Sequence, residues 1–277
     1  MDKKHTHPTM ASILNKVSYN RNNTNEEFMV NIFMLCHNEE VVLPHSIDHY
    51  RTNFPNCRIF IYDNMSTDRS GEIATEKLCS VTVWNSNEEV DDEQFMAFKR
   101  FIWRSVPQNE WIIVCDVDEW LCITESQLRE EDKHGTTVLN VKGFQMMAKS
   151  ECDDLSDIED IHNLSRAMTN HTWESKKLCF KKGPIKGMTY KLGAHSCDII
   201  GNAVFSEFNY INKHMETLGI PYLERRCFPR RKRCKNKTPA HGNYPDTHEG
   251  IMNKYSSWDK KSVNIDPSKI YRSHDLK

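Results

Sequence analysis

The sequence predicts an α/β protein: a Rossmann-like, mostly parallel sheet with helices on both faces, followed by an irregular second region. Apolar runs of strand length recur at residues 28–36, 58–62, 81–84 and 111–115, and segments able to form helices lie between them. Each run also ends in a polar cluster, which is where parallel sheets present their ligand-binding residues.

The elements follow in order. Residues 28–36 are nearly continuously apolar, as suits a strand covered on both faces, and His37-Asn38-Glu39-Glu40 ends the run. Residues 41–50 can form a helix, because Pro44 falls in a first turn where no amide hydrogen is needed. The second strand, 58–62, terminates in Asp63-Asn64-Met65-Ser66-Thr67-Asp68, a set of capping residues ahead of a helix over 70–77. After a third strand at 81–84, residues 91–106 carry Phe95, Phe98 and Ile102 on one helical face. Acids stand at the positive end of that helix and bases later. The fourth strand, 111–115, runs into Asp116-Val117-Asp118-Glu119-Trp120.

Beyond residue 125 the pattern weakens. Residues 136–141 and 143–148 read as strands, 151–160 hold six acids and read as a loop, and 178–200 alternate short apolar pieces with glycines. The expected organisation is a flexible arm over 1–25, one domain over 26–225 and a basic extension over 226–277. The domain divides into halves at 26–125 and 126–225.

Composition narrows the class. With 38% hydrophobic and 27% charged residues and a formal charge of -2, the chain reads as globular and its net charge names no partner. Its ten cysteines include no Cys-x-x-Cys, so they are expected to be mostly reduced structural thiols. No signal-like apolar segment and no run of about 18 apolar residues occurs, so a cytoplasmic location without a transmembrane segment is expected.

The strand ends converge on one rim: His37, Asn38 and Glu39; Asp63 and Asn64; Asp116 and Asp118. Such a crevice can hold a nucleotide, with a carboxylate-bound cation neutralising its diphosphate. These motifs, with Gln94 on a helix and Asp116-Val117-Asp118-Glu119-Trp120-Leu121, occur in the order and spacing of the family 2-like glycosyltransferases. The chain resembles their Asp-x-Asp-Glu-aromatic subgroup. The resemblance implies a GT-A fold, whose nucleotide-binding half would be 26–125 and acceptor half 126–225, a nucleoside-diphosphate sugar donor with UDP-sugar favoured, inverting transfer, and Mn²⁺ or Mg²⁺ held through Asp118, with Asp116 near the ribose or the metal. It also implies nucleoside contacts from Asp63, Asn64 and Gln94 and from the pocket residues His37, Asn38 and Glu39. The acceptor would be a hydroxyl of a glycan, a lipid-linked sugar or a protein.

In the second half, Gly193-Ala194-His195 resembles a later histidine of related chains, which makes His195 the candidate third metal ligand or diphosphate contact. Where those chains carry His-Tyr, this one has Lys213-His214-Met215. Asp198 is the candidate base for the acceptor hydroxyl, with Asp153, Asp154 and Glu207 as competitors. Residues 225–237 hold eight bases in thirteen and read first as a solvated loop, then as a segment closing over the donor. Phe228 alone interrupts the run with an aromatic, which argues against nucleic acid. Two alternatives stay open: a haloacid-dehalogenase-type phosphatase, against which Trp120 stands where a small hydroxyl residue is wanted, and a non-catalytic anion- or nucleic-acid-binding protein.

Overall fold

The computed structural model describes residues 28–86, 90–168, 175–234, 244–269 and 271–272. The predicted arm over 1–25, and the last part of the basic run at 235–237, lie outside them. In chain order the strands are β1 Val30–Cys36, β2 Arg58–Asp63, β3 Ser80–Val83, β4 Trp111–Asp116, β5 Glu119–Cys122, β6 Val138–Met146 and β7 Arg166–Met168. They continue with β8 Cys179–Lys181, β9 Ile185–Tyr190, β10 Cys197–Gly201, β11 Phe205–His214, β12 Ser262–Asn264 and β13 Tyr271–Arg272. The helices are α1 Leu43–Asn53, α2 Ser70–Glu76, α3 Asp92–Phe101, α4 Glu125–Lys133, α5 Ile220–Arg233 and α6 His248–Asp259.

Strands β3, β2, β1 and β4 pair in that order and are parallel, as the alternating pattern predicts. Beyond β4 the sheet turns antiparallel through β8, β6, β7 and β12, while β11 lies parallel to β6 and antiparallel to β5. The two predicted strands over 136–148 are one strand, β6. The acidic stretch at 151–160 holds one short 3-10 turn, Leu155–Asp157, and leads into a second, Ile161–Asn163, each capped by an aspartate side chain.

Strand β1 shows why its sequence is apolar throughout. Ile32 and Met34 point into one core with Leu43, Ile47 and Tyr50 of α1. Phe33 and Leu35 point into the other with Phe98 of α3, and with Ile102 and Trp103 just beyond it. Alternate side chains on a strand face opposite sides, so a strand buried on both sides cannot spare a polar position. Asn31 is the exception, and its amide donates to Glu110 Oε2 at 2.7 Å. Each such side chain, fully buried, contributes roughly 1.5–3 kcal/mol. A third, smaller cluster of Met147, Met168, Leu223, Cys227, Ile251 and Tyr255 seats α5 against α6. All ten cysteines are free. No helix among the described residues is long and apolar enough to cross a membrane.

Three hydrogen bonds fix the turn after β4. Buried Trp120 donates from Nε1 to Ser46 Oγ at 2.8 Å, and that hydroxyl donates to Val117 O at 2.5 Å. Tyr50 Oη donates to Glu119 O at 2.8 Å. Helix α1 is thus bonded directly to the Asp-x-Asp segment. Ser46→Ala leaves the Trp120 N–H and the Val117 carbonyl without their buried partner, and should lower unfolding free energy by about 1–3 kcal/mol in urea denaturation.

Candidate functional site

The carboxyl ends of β1 and β4 open into a cavity of about 580 Å³, roofed by α5 and closed on one side by the amino-terminal part of α3. His37, Asn38 and Glu39 line it from β1, Asp116 and Asp118 from the turn after β4, and His195 and His214 from the second half of the chain.

The loop after β1 is held by the loop after β2. Asn38, at φ 53°, receives a bond on Oδ1 from Thr67 N at 2.7 Å and donates its own N–H to Ser66 Oγ at 2.9 Å. Glu39 N donates to Ser70 Oγ at 2.8 Å, and His37 Nδ1 is 2.7 Å from Asn64 O. Asp63 and Asn64 are the scaffold beneath. Asp63 Oδ1 accepts from Ser66 N at 3.0 Å and from Ser66 Oγ at 2.5 Å, while Asn64 exchanges two bonds with Ser86. Neither is part of the cavity wall. Gln94 is not in the wall either: its amide donates to Asp91 Oδ2 at 2.8 Å, closing the cap of α3.

The two aspartates of the motif are in different electrostatic situations. Asp116 Oδ1 is 2.7 Å from Lys99 Nζ and Oδ2 is 3.4 Å from Lys176 Nζ. Lys176 also pairs with buried Glu119 at 2.6 Å, and Glu119 accepts from Asp116 N at 2.9 Å. Burial alone pushes the Asp116 carboxyl up, but the two ammoniums together outweigh it and hold it well below the usual carboxylate range. With each oxygen facing an ammonium, Asp116 is first a counter-ion. The expected role near the ribose or the metal would require Asp116 to give up part of this pairing, and the phosphatase alternative needs the carboxylate free to attack phosphorus.

Asp118 lies at the other pole. Its Oδ2 accepts from Arg226 Nη2 at 2.6 Å and is 3.5 Å from His214 Nε2. Burial raises its carboxyl, and Arg226 and His214 more than reverse the effect. His214 reaches it because β11 pairs antiparallel with β5, setting His214 opposite Glu119, and Met215 N bonds Asp118 O at 2.8 Å. Gln145 holds the other imidazole nitrogen at 2.7 Å. The sequence reading left His214 without a role; the strand pairing puts it against Asp118.

His195 also lines the cavity. The chain turns sharply there, with Gly193 at φ 68°, and a Cβ on Gly193 would stand 2.5 Å from His195 Nε2. Only glycine admits the ring in this position.

The residues fit a divalent cation of the kind the resemblance implies. Asp118 and His214 offer an oxygen and a nitrogen 3.5 Å apart, close enough to reach one ion after a small adjustment, and the mixed donor set suits Mn²⁺ better than Mg²⁺. That a guanidinium already sits against Asp118 and Glu39 shows the cage accepts positive charge. No group of three or more His, Cys, Asp or Glu side chains among the described residues forms a metal site alone, so phosphate oxygens or water must complete one.

The basic run was expected to be a loop first. Through residue 233 it is helix α5, which crosses the expected domain boundary at 225/226. Arg226, Arg230 and Arg233, at i, i+4 and i+7, all face the cavity. Tyr222, Leu223 and Cys227 are the buried residues of the same helix.

Asp198 lies apart from the cavity lining. It is on β10, its side chain 67% exposed and 3.4 Å from Lys191 Nζ. Asp198→Ala should therefore leave turnover within about twofold of the parent, since the carboxylate does not line the cavity and exposed pairs of its kind add about 0–1 kcal/mol to stability. A steady-state assay checks this. Of the competitors, Asp153 pairs with exposed Arg225, Asp154 caps a 3-10 turn, and Glu207 is exposed on β11. Two acids the sequence did not single out, Asp92 and Glu216, do line the cavity. Burial pushes the Glu216 carboxyl up, but Lys254, His214 and two arginines bring it down to about 2.

No model of a known protein family matches the chain. Protein RfbJ of Shigella flexneri is 31% identical over 49 residues, which is 18% of this chain and 38% of that protein. Among solved structures, residues 1–349 of S. aureus TarS align at 11% identity over 84% of this chain and 73% of that one, with a TM-score of 0.40. The mannosyltransferase PcManGT from Pyrobaculum calidifontis, in complex with GDP-Man and Mn²⁺, aligns at 10% identity over 40% and 34% of the two chains, with a TM-score of 0.29. Glucosyl-3-phosphoglycerate synthase from Mycobacterium tuberculosis, in complex with Mn²⁺, UDP and glucosyl-3-phosphoglycerate, aligns at 16% identity over 43% and 44%, with a TM-score of 0.27.

Proposed function

We propose that this protein is a GT-A-type glycosyltransferase that moves a sugar from a nucleoside-diphosphate donor, UDP-sugar first, to a hydroxyl acceptor, with inversion and with Mn²⁺ as the favoured cation. One observation carries the reading: a single cavity joins a carboxylate pole at Asp118 and Glu39 to an arginine-lined helix. Its wall holds seven lysines and arginines against five acids. That surplus attracts an anion, while the acid pole and His214 supply what a cation bridging to that anion requires.

Asp118 and His214 would hold the cation, which when bound stabilises the charge developing on the leaving diphosphate. Arg230 and Arg233 line the same cavity from α5 and would meet that charge there, since a guanidinium can bond phosphate oxygens bidentately. Lys99 and Lys176 keep Asp116 ionised and fixed at the cavity floor. In the transfer itself the bond from the anomeric carbon to the diphosphate breaks, the acceptor oxygen takes its place on that carbon, and the acceptor proton passes to a base. The inward face of the arginines also speaks against the nucleic-acid alternative, since a helix that turns its bases into a cavity presents fewer of them to a polyanion outside.

A thermal-shift panel of nucleoside diphosphates and nucleotide sugars, with and without Mn²⁺, tests the proposal. UDP with Mn²⁺ should give the largest rise, because a ligand bound at a hundred times its Kd adds about 2.7 kcal/mol to the native state. A panel in which no nucleotide raises the transition temperature would overturn it.

A further inference from the structure

Arg226 is bonded to the cation site instead of standing free to meet a phosphate. Its Nη2 donates to Asp118 Oδ2 at 2.6 Å and to Glu39 Oε1 at 3.1 Å, and its Nη1 donates to Tyr222 Oη at 2.8 Å. The side chain is 12% exposed, so these bonds form where water competes little. The Asp118 oxygen it holds is the one that faces His214 Nε2 at 3.5 Å. A cation bridging Asp118 and His214 needs that oxygen, and a dication and a guanidinium repel each other at such range.

Arg226 also shares its helix face with two further cavity-lining arginines, Arg230 and Arg233, at i+4 and i+7. An anion in the cavity therefore offers it an alternative partner on the same helix face, beside Arg230 and Arg233. Resting on the glycosyltransferase reading, we propose that Arg226 exchanges partners: it neutralises Asp118 and Glu39 in the free protein, and it yields Asp118 to the divalent cation as it moves onto the donor diphosphate. Tyr222, almost fully buried, anchors the guanidinium on the side away from the carboxylates.

The consequence is a free protein that resists loading with metal alone. Donor and cation then favour each other's binding by equal factors, since coupling between two sites is reciprocal. Cation binding without nucleotide would leave Arg226 buried with only Glu39 for charge.

Mn²⁺ binding to the full chain, measured without nucleotide by the paramagnetic resonance signal of free Mn²⁺, tests this independently of turnover. Arg226→Met should bind Mn²⁺ at least tenfold more tightly than the parent, and Arg226→Lys should fall between them. Arg230→Met removes the same charge from the same cavity wall without removing a bond to Asp118, and should tighten Mn²⁺ less than threefold. Equal gains at the two positions, or no gain at Arg226, would overturn the exchange and leave simple charge repulsion or no coupling. Should Arg226→Met fail to fold, Arg226→Lys compared with Arg230→Lys carries the same decision. A parallel titration with UDP separates the two readings: UDP binding with equal Mn²⁺ affinities overturns the exchange alone, whereas no UDP binding with or without Mn²⁺ overturns the donor assignment beneath it.

Discussion

Asp118→Asn is expected to lower sugar transfer by about a thousandfold while the chain stays folded. A cation that stabilises the leaving diphosphate supplies several kcal/mol to the transition state, and about 4 kcal/mol corresponds to three powers of ten in rate. The fold survives because the amide can still accept from Arg226, which keeps its bonds to Glu39 and Tyr222. Asp116→Asn should behave differently. Lys99 is 6% exposed and Lys176 is 7% exposed, and Asp116 is the acid they share. Lys176 retains Glu119, but Lys99, itself buried, loses the carboxylate it pairs with; since Asp116 is 36% exposed, the cost falls below the roughly 3–5 kcal/mol of a pair buried on both sides. The two variants therefore separate on different axes: Asp118→Asn in kcat with a near-parental melting temperature, Asp116→Asn in melting temperature first. Wild-type turnover by a folded Asp118→Asn protein, measured with UDP-sugars and Mn²⁺, would remove the metal-assisted mechanism.

The first half of the chain was legible because its constraints are local. Each parallel strand is a contiguous apolar run, and the helix carrying Phe95, Phe98 and Ile102 announces itself by spacing and by its Asp91 cap. Strands β1, β2 and β4 begin within two residues of the expected positions. The second half is legible only in part because its geometry depends on pairing at long range. His214 meets Asp118 through the β5 and β11 ladder, a contact between residues almost a hundred positions apart that no spacing rule encodes. Helix α5 was obscured for a different reason. Eight bases and Pro229 hide a helical period, although Tyr222, Arg226, Arg230 and Arg233, spaced by four, four and three residues along one face, do carry it. Asp63, Asn64 and Gln94 show the converse limit. Polar residues at a strand end or helix start can be spent on scaffolding, and only the hydrogen-bond partners distinguish that use from ligand binding.

Acid should weaken the fold directly beneath the site, through His49. This imidazole is buried on α1, with Nε2 3.0 Å from Leu121 O. It stacks on Trp120 at 5.4 Å and on His162 at 6.2 Å. Burial, helped by His162 and Lys213 and opposed by the Leu121 carbonyl, brings its pKa down to about 4, against about 6.5 in an unfolded chain. The unfolded state therefore binds the extra proton first as pH falls. The contribution to stability is fully present above pH 6.5, is lost between 6.5 and 4, and amounts to about 3 kcal/mol across that window. His45 and His162 are displaced in the same direction by burial and add to the slope. Glu39 runs the other way: burial raises its carboxyl to about 7, so its contribution falls as pH rises from about 4.5 to 7, and the parent curve alone understates His49. Comparison with His49→Gln isolates the term, because the glutamine amide can reach Leu121 O but does not titrate. Urea unfolding at pH 7 and pH 4.5 should show the parent losing about 2–3 kcal/mol more than the variant, and parallel losses would place the acid sensitivity elsewhere. At pH 7 the variant should keep nucleotide binding, since Trp120 remains bonded to Ser46 and the Asp118 turn is held from α1 by a contact that His49 does not make.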